Sequence, residues 1–544
     1  EKDDKHALRP SESFQTACVV WQGLDFYTQI QICACFAAAI FPVAQQTGNK
    51  ARQSLYNRRF YLFRFRCAAL RRKNEAGRRR WQAQMASKQR SQMNPAEWRA
   101  STSLAGVYAL RMLGMFLVLP VLALYAATLP GAENNKALIG LAMGAYGLTQ
   151  AVLQLPLGMA SDKFGRKKVI YAGLLVFAAG SFMAASAQTL EALVLARAIQ
   201  GAGAVSAAVT ALLADLTREE VRTRAMAMIG LSIGLTFSVS LVAAPLLAGL
   251  IGVGGLFVLT GVLTLLSIAV VAWLTPNPQQ SKLHEDAQAQ PARISEVLAD
   301  RQLLRLNFGI FALHAAQMAL FVALPFALVG VGLEKVQHWQ VYLPATLAGL
   351  VLMVPLIIIG ETRNKLKQVF VGGIVCIAAA QLGLLFGLHS LWLILASLVV
   401  YFIGFNVLEA SLPSLVSKIA PSDLKGTAMG VYNTSQSLGL FAGGALGGLL
   451  FQHYGFSGVF TFCSALMLLW LALAAAAPAP RPVKNITLAV SATWHGREDD
   501  LQFALIALSG VEAVKLSADK QTVYIKAMQK GFDEAAAKKI ISGA

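Results

Sequence analysis

Four ionisable residues stand inside long apolar segments of this sequence, where a charge is costly. They are Arg111, Arg197, His314 and Glu409. Ionisable side chains within a membrane-spanning segment usually face the interior of a helix bundle and mark a pathway for a substrate or for protons. Glu409 is the only carboxylate among the four. Because burial disfavours its charged form and a nearby cation favours that form, we predict that Glu409 is the proton-coupling group.

A second interpretation is that Glu409 is the permanent partner of an arginine, Arg111 or Arg197, and only positions helices. Asn406 lies one turn from Glu409 on the same helical face. Gln317, Tyr108 and Gln150 are further polar residues that we expect to face the interior of the helix bundle.

No metal site and no cofactor site is predicted. The six cysteines show neither a CxxC pair nor a His/Cys spacing typical of metal ligands. The sequence also lacks a nucleophile–base set and a phosphate-binding loop, so an enzyme is the least expected class of protein.

The elements that must position these residues are long apolar helices. Hydrophobic residues make up 56% of the chain and charged residues 14%, with a mean hydropathy of +0.55, which is too apolar for an ordinary soluble protein. A membrane-spanning helix needs about 20 apolar residues. Twelve such segments, called spans one to twelve below, lie at 101–126, 137–160, 169–187, 191–213, 224–251, 255–274, 304–330, 342–360, 368–388, 391–416, 425–451 and 455–477.

The twelve spans form two related halves. The segment GVYALRMLGM from Gly106 resembles GIFALHAAQM from Gly309 at an offset of 203 residues, which makes Arg111 and His314 equivalent in the repeat. We therefore predict a duplicated six-helix unit. The predicted boundaries are 93–275 for the first bundle, 276–303 for a polar, proline-containing cytoplasmic linker and 304–477 for the second bundle.

The distribution of basic residues predicts the orientation of the bundle. The loops after spans two, four, six, eight and ten carry sixteen Lys and Arg residues, whereas the opposite loops carry only Lys136 and Lys335. Because short cytoplasmic loops are enriched in basic residues, both termini are predicted to be cytoplasmic.

A loop with regularly placed glycines and charges connects spans two and three. It reads Gly158-Met-Ala-Ser-Asp162-Lys163-Phe-Gly165-Arg166-Lys167-Lys168. Gly158 permits close approach of two helices, Gly165 permits a tight turn, and Asp162 can sit against the N-terminus of another helix. An ordinary basic loop would explain the lysines and arginines but not the placed glycines and aspartate.

This loop fills every position of the signature G-x-x-x-D-[RK]-x-G-R-[RK]-[RK], and the chain thereby resembles the major facilitator superfamily. The resemblance implies an all-α membrane protein of twelve transmembrane helices, in which spans one, four, seven and ten line a central cavity. It also implies that the loop latches the two halves together. Asp162 would meet the start of span eleven near Lys425, and Arg166 would meet Asp215. The expected latch residues are thus Gly158, Asp162, Gly165, Arg166 and Asp215.

Two further segments bear on this resemblance. In span four, Arg197-x-x-Gln200-Gly201 resembles the family's second signature, although an arginine paired for structure alone would look the same. In span five, Ser240-x-x-x-Ala-Pro245 resembles the antiporter signature with alanine or serine at three glycine positions. Small-residue packing with a proline kink would produce the same pattern.

The residues after span twelve change from helical to strand periodicity. Strands are predicted at 485–494, 511–517 and 522–528, and helices at 498–509 and 532–543. This β-α-β-β-α order predicts a small cytoplasmic α+β domain at 485–544, ferredoxin-like with its last strand missing, that binds a regulatory partner or ligand. Thiolate metal binding is excluded because the stretch after the first strand has no CxxC.

Residues 1–92 are predicted to be a basic leader that is disordered or non-native. Residues 1–100 contain eighteen Lys and Arg against seven Asp and Glu, and the true start is expected at Met85 or Met93. The basic run could bind nucleic acid, but no fold for such binding is visible. Nucleic acid is therefore not a predicted partner.

These observations together predict a secondary transporter of the bacterial inner membrane. The resemblance implies the drug/proton antiporter type, which exports small amphipathic compounds in exchange for protons by alternating access. The predicted partners are accordingly a small-molecule substrate, protons and the lipid bilayer. A facilitator or importer of a small solute is the alternative within this class, and a ligand-sensing membrane protein is the alternative outside it.

Overall fold

A computed structural model of the chain describes residues 93–542, apart from 134, 278–292, 364, 422–423, 478–482, 495, 517–519, 521 and 529–530. The predicted leader and most of the predicted linker lie outside the described residues.

Long helices make up the first half of the described chain. They are α1 (Pro95–Ala126), α2 (Lys136–Phe164), α3 (Arg166–Ala185), α4 (Leu190–Ala202), α5 (Ser206–Leu216) and α6 (Glu219–Ala269). A reciprocal cap begins α1, because the Asn94 side chain accepts from the Glu97 amide at 2.7 Å and the Glu97 carboxylate accepts from the Asn94 amide at 2.8 Å.

Span four, predicted as one helix, consists of the two helices α4 and α5. The helix is interrupted at residues 203–205, where Gly203 lies so close to α3 that an added Cβ would come 2.5 Å from the carbonyl oxygen of Gly173. A break in the helix leaves backbone carbonyls without their usual partners. One of these carbonyls binds Arg111, as described below.

The second half repeats this helical organisation. Its helices are α7 (Ile294–Ala299), α8 (Arg301–Gly330), α9 (Trp339–Thr362), α10 (Leu366–Gly387), α11 (Leu391–Ile419) and α12 (Lys425–Ala475). The end of the predicted linker, 276–303, is helical, because α7 and the first residues of α8 lie within it. The Asp300 side chain caps α8 by accepting from the Gln302 amide at 2.7 Å, so helical structure begins earlier than the polar composition suggested.

Two helices are too long to cross a membrane once. Both α6 and α12 contain 51 residues, about 76 Å at 1.5 Å per residue, whereas the hydrocarbon core of a bilayer is about 30 Å thick. Each has one residue with non-helical backbone angles, Gly252 (φ +71°) in α6 and Gly455 (φ +61°) in α12. Positive φ favours glycine. Ten helices of the described chain are long and apolar enough to span a membrane.

The C-terminal residues fold into a small sheet covered by two helices. Its elements are β1 (Val483–Ala489), α13 (Glu498–Ile506), β2 (Val511–Leu516), β3 (Thr522–Met528) and α14 (Glu534–Ser542), and the antiparallel strand order is β1-β3-β2. The first strand was predicted to reach residue 494, which is wrong. Ala492–Trp494 forms a 3-10 turn, and the Trp494 indole nitrogen donates to the Ile540 carbonyl at 2.9 Å, which holds that turn against α14.

Candidate functional site

Glu409 lies in the interior of α11, beside His314 of α8. Glu409 Oε2 is 3.8 Å from His314 Nε2. The Glu409 side chain is 38% exposed, whereas His314 is buried. Within the described chain, Oε2 of Glu409 is enclosed and forms no hydrogen bond. A carboxylate in this position can gain or lose a proton without breaking a hydrogen bond.

The Ile310 carbonyl and Gln436 of α12 contact the two ring nitrogens of His314. His314 Nδ1 lies 3.2 Å from the Ile310 carbonyl and donates to it. The other ring nitrogen, Nε2, is therefore the acceptor of a neutral imidazole, and Gln436 Nε2 donates to it at 2.8 Å. Both ring nitrogens of His314 are thus engaged in hydrogen bonds. Glu409 is therefore the group of the Glu409–His314 pair that can take up a proton.

Close packing of α8 against α12 brings Gln436 to His314. Three glycines of α12, Gly439, Gly443 and Gly447, face α8, and a Cβ on any of them would collide with α8. At Gly447 the distance to Ala319 Cα would be 3.0 Å. Small residues at helix contacts allow such close backbone approach. The sequence interpretation overlooked Gln436, whose only signal was a polar residue just before the glycine repeat.

Aromatic side chains connect this site to the first half of the protein. Phe405 of α11 lies 6.0 Å from the His314 ring, and Phe237 of α6 lies 5.8 Å from Phe405. Phe237 also packs edge-on against Phe116 of α1 at 5.0 Å. These rings give the site an apolar wall that both halves build.

Two of the predicted lining residues lie near this site without contacting Glu409. Asn406 precedes Glu409 on α11, and an added Cβ at Gly349 of α9 would come 2.9 Å from its amide nitrogen. The glycine therefore makes room for this amide. Gln317 is buried on α8, one turn beyond His314.

Arg111 is buried in the first half and is surrounded by neutral acceptors. Its guanidinium donates to Ser206 Oγ at 3.2 Å, to the Tyr146 hydroxyl at 3.1 Å and to the Gly203 carbonyl at 3.3 Å. It also stands 5.0 Å from the ring centroid of Phe177. The break between α4 and α5 supplies two of these acceptors, Gly203 and Ser206.

Arg197 lies close to the same tyrosine. Its guanidinium is 5.2 Å from the Tyr146 ring centroid, a cation–π distance. It also donates to Gln200 Oε1, and Gln200 Nε2 donates onward to Ser181 Oγ at 2.8 Å. Tyr146, which both arginines contact, was not among the residues that the sequence singled out.

In this structure neither Arg111 nor Arg197 pairs with Glu409. Both arginines donate to neutral acceptors of the first half, although the Nε of each has no partner within the described chain, and neither forms an ion pair with a carboxylate of the described residues. Glu409 has His314 as its neighbour instead. The physical reason is that a helix break and neutral side chains of the first half already accept the guanidinium protons.

The signature loop is held together by Arg166, at the start of α3. Arg166 is buried and pairs with both Asp162 and Asp215, the second at 3.1 Å, and it donates to Ser161 Oγ at 2.8 Å. Gly165 has φ +99°, a conformation that a side chain would strain. This arrangement ties the end of α2 to the end of α5.

The expected contact between Asp162 and the start of α12 is not made. Asp162 is ion-paired with Arg166, and it has no hydrogen bond or ion pair with the described residues of α12. Gly158 approaches α5, because an added Cβ would lie 3.2 Å from Ala207 Cβ. In this structure the loop therefore connects helices within the first half.

The two halves meet closely at the other end of α2. We call the end of the bundle around Gly165 the signature end, and the end where α1 passes into α2 the far end. Near the far end, an added Cβ at Gly140 of α2 would lie 2.6 Å from Gly448 Cα of α12. The amide of Ala137 also donates to Gln452 Oε1 at 2.9 Å. We call the part of α12 that precedes Gly455 its first arm. This arm runs from Lys425 at the signature end to the far end.

Comparison with known proteins places the chain in a family. The profile of the Major Facilitator Superfamily matches residues 104–444 and 363–509. The Escherichia coli inner membrane transport protein YajR is 42% identical over 434 residues, 80% of this chain and 95% of that protein. The multidrug resistance protein MdtH of Aeromonas hydrophila is 28% identical, over 63% of this chain and 85% of its own length.

A solved structure has the same fold. The crystal structure of the nucleoside transporter NupG superimposes with a TM-score of 0.57 at 15% identity, covering 69% of this chain and 99% of NupG. At this identity the likeness concerns the fold alone. A family of transporters implies a small-molecule substrate. The family profile and the 42% identity to YajR show that the chain belongs to the major facilitator superfamily and is a multi-pass membrane transporter, not an enzyme.

Proposed function

We propose that this transporter exports small amphipathic compounds in exchange for protons, by alternating access, with Glu409 as the proton-carrying group. The observation that carries the proposal is the position of Glu409, which is partly exposed, has no hydrogen bond at Oε2 within the described chain and lies 3.8 Å from the buried His314. The aromatic wall suits apolar parts of a substrate. The names of two relatives, multidrug resistance protein MdtH and the quinolone resistance protein NorA of Staphylococcus aureus, agree with drug export.

The proposed proton step follows from the cost of charge in a closed, apolar cavity. A protonated Glu409 is neutral, so it can be enclosed when the cavity closes, whereas the ionised form needs water or a cation. Proton uptake and release are thereby restricted to the open states. Arg111, Arg197, Asn406 and Gln317 are proposed to shape the polar part of the same cavity.

The proposed topology has twelve crossings. Each 51-residue helix would cross twice, with its turn at Gly252 or Gly455. Added side chains at these two glycines would meet nothing within 4 Å, as expected for turns at the surface of the bundle. We assign the signature end and both termini to the cytoplasm, and the protein to the bacterial inner membrane, on the distribution of basic residues.

Transport by the purified full chain in proteoliposomes tests this function. An imposed pH gradient should drive accumulation of at least one compound from a panel of amphipathic cations and neutral drugs. A facilitator would equilibrate its solute without any response to the pH gradient, and a ligand sensor would bind a compound without moving it. Either result would replace the proposal.

The loop latch yields a prediction for Asp162→Asn. We propose that Asp162 meets the start of α12 when the signature end closes, so loss of its charge should slow transport by at least tenfold. Since Arg166 keeps Asp215 as a buried partner, the variant should still insert and fold. Transport and the quantity of folded protein in the membrane are measured together, with the exposed Asp500→Asn as the control. Normal transport by well-folded Asp162→Asn protein would remove this role from the loop.

The C-terminal sheet is proposed to be a regulatory module at 485–544. Its strand order β1-β3-β2 is that of a ferredoxin-like domain lacking the outer strand beside β1. Lys526 Nζ of β3 donates to the Ile419 carbonyl at 3.2 Å, at the C-terminus of the helix that carries Glu409. A cation there is favourable to the helix dipole. The domain could thereby sense or bias the position of α11.

Truncation after Pro480 separates a regulatory role from a part in substrate binding. We expect the shortened protein to bind a transported compound with an affinity within about threefold of the full chain, because the cavity residues lie in the helical bundle. Binding is measured by isothermal titration in detergent, with the folded state checked by gel filtration. A folded truncation that binds no compound would assign the domain to the binding site.

A further inference from the structure

A groove opens between four helices of the second half, away from Glu409. It is formed by α8, α10, α11 and α12 with Ala477, which follows α12. Its lining consists of Gln302, Arg305, Leu306, Leu366, Lys367, Phe370, Leu415, Ile419, Trp470, Leu473, Ala474 and Ala477. No acidic residue is among these, and the groove has two cations and a largely apolar floor.

The two cations stand at the ends of their helices, where the groove opens. Arg305 is half-buried in the second turn of α8, and within the described chain its guanidinium has no hydrogen bond and no ion pair. Lys367, in the first turn of α10, donates to the carbonyls of Ala475 at 3.0 Å and Ala477 at 2.7 Å. An ammonium group has three N–H donors, so one remains. Both cations line the same groove and keep a donor for an anion.

The floor of the groove is apolar and rigid. Trp470 is only 2% exposed, and its ring packs edge-on against Phe370 at 6.0 Å. Leu306 and Leu415 are buried beside it. Gly309 leaves room for the indole, because an added Cβ there would come 2.8 Å from Trp470 Cζ2. Such a surface suits an extended hydrocarbon chain.

The groove lies at the signature end of the bundle. The first arm of α12 begins there at Lys425, and Ile419, which lines the groove, ends the preceding helix. The apolar residues of α8 and α10 follow directly after Arg305 and Lys367. This order puts the two cations at the level of the lipid headgroups and the apolar floor at the level of the acyl chains.

We propose that this groove binds an anionic phospholipid of the adjoining leaflet. The phosphate would lie between Arg305 and Lys367, and an acyl chain would lie against Trp470 and Phe370. Guanidinium and ammonium groups both favour phosphate oxygens, and basic pockets between membrane helices suit anionic headgroups. A bound lipid would also bridge α8, α10, α11 and α12 beside Ile419, the residue on which the C-terminal domain docks. This site is independent of the proposed proton coupling.

Native mass spectrometry of the delipidated full chain tests the proposal. Phosphatidylglycerol is titrated against phosphatidylethanolamine with identical acyl chains, and we expect one saturable site with at least fivefold preference for phosphatidylglycerol. The double variant Arg305→Gln/Lys367→Gln should weaken that binding at least tenfold. The matched control, Arg363→Gln/Lys365→Gln, removes the same charge from exposed positions nearby and should bind as the wild type does.

Fluorescence quenching locates the acyl chain. Phosphatidylglycerol with brominated acyl chains should quench a saturable component of tryptophan emission, and the variant Trp470→Phe should lack that component. Equal loss of binding in the control variant would show unspecific charge attraction and overturn the proposal. Equal affinity for both lipids would do the same. If millimolar inorganic phosphate displaced phosphatidylglycerol, the groove would be a site for a free anion, and the proposal would be overturned.

Discussion

The variant Glu409→Gln is expected to lose transport driven by a pH gradient, to the level of empty liposomes. Glutamine keeps the size of glutamate but cannot release a proton. Oε2 of Glu409 forms no hydrogen bond within the described chain, so the substitution leaves no buried partner unsatisfied. The protein should therefore fold and should still bind a transported compound. Transport in proteoliposomes under an imposed pH gradient and binding in detergent are measured on the same preparation.

Two comparisons make this result interpretable. Glu334→Gln makes the same chemical change at an exposed position and should transport normally. If Glu409 only positioned helices through its neighbour His314, Glu409→Gln would fold poorly and the residual transport would keep its pH dependence. Retained proton-driven transport in a folded Glu409→Gln protein would move the coupling role elsewhere, with His314 as the next residue to substitute.

Gly140→Val is expected to abolish transport for a steric reason. A Cβ at Gly140 would lie 2.6 Å from Gly448 Cα and 2.8 Å from Gly448 N, and backbone atoms cannot rotate out of the way. The halves should then be unable to close at the far end, which alternating access requires. We expect at least a hundredfold loss of transport. Faster hydrogen exchange of the amides in residues 137–147 and 437–448 should accompany it.

The matched control for this variant is Gly230→Val in α6. An added Cβ at Gly230 would meet nothing within 4 Å, and both substitutions place the same β-branched residue inside a long helix, at the same cost in helix propensity. Gly230→Val should therefore transport at close to the wild-type rate. Equal loss in both variants would point to helix propensity, and normal transport by Gly140→Val would show that this contact is dispensable.

The class of the protein follows from local patterns along the chain. Membrane helices are local features, because roughly 20 consecutive apolar residues are sufficient to span a bilayer. The signature loop is equally local, since Gly158, Asp162, Gly165 and Arg166 fall within nine residues of chain. Such patterns require no knowledge of which helices are neighbours. The apolar segments therefore indicated a membrane protein, and the signature indicated the transporter family.

Contacts between distant side chains could not be predicted in this way, because they depend on how the helices pack. His314 and Gln436 are 122 residues apart in the chain, and Arg111 reaches a carbonyl that became available only because α4 and α5 are separate helices. The sequence placed Arg111 and Glu409 as possible partners because both are ionisable and buried. Pairing depends instead on which helix faces pack together. Here the close contact of glycines on α12 with α8 brings Gln436 to His314, while Arg111 donates to neutral acceptors within its own half.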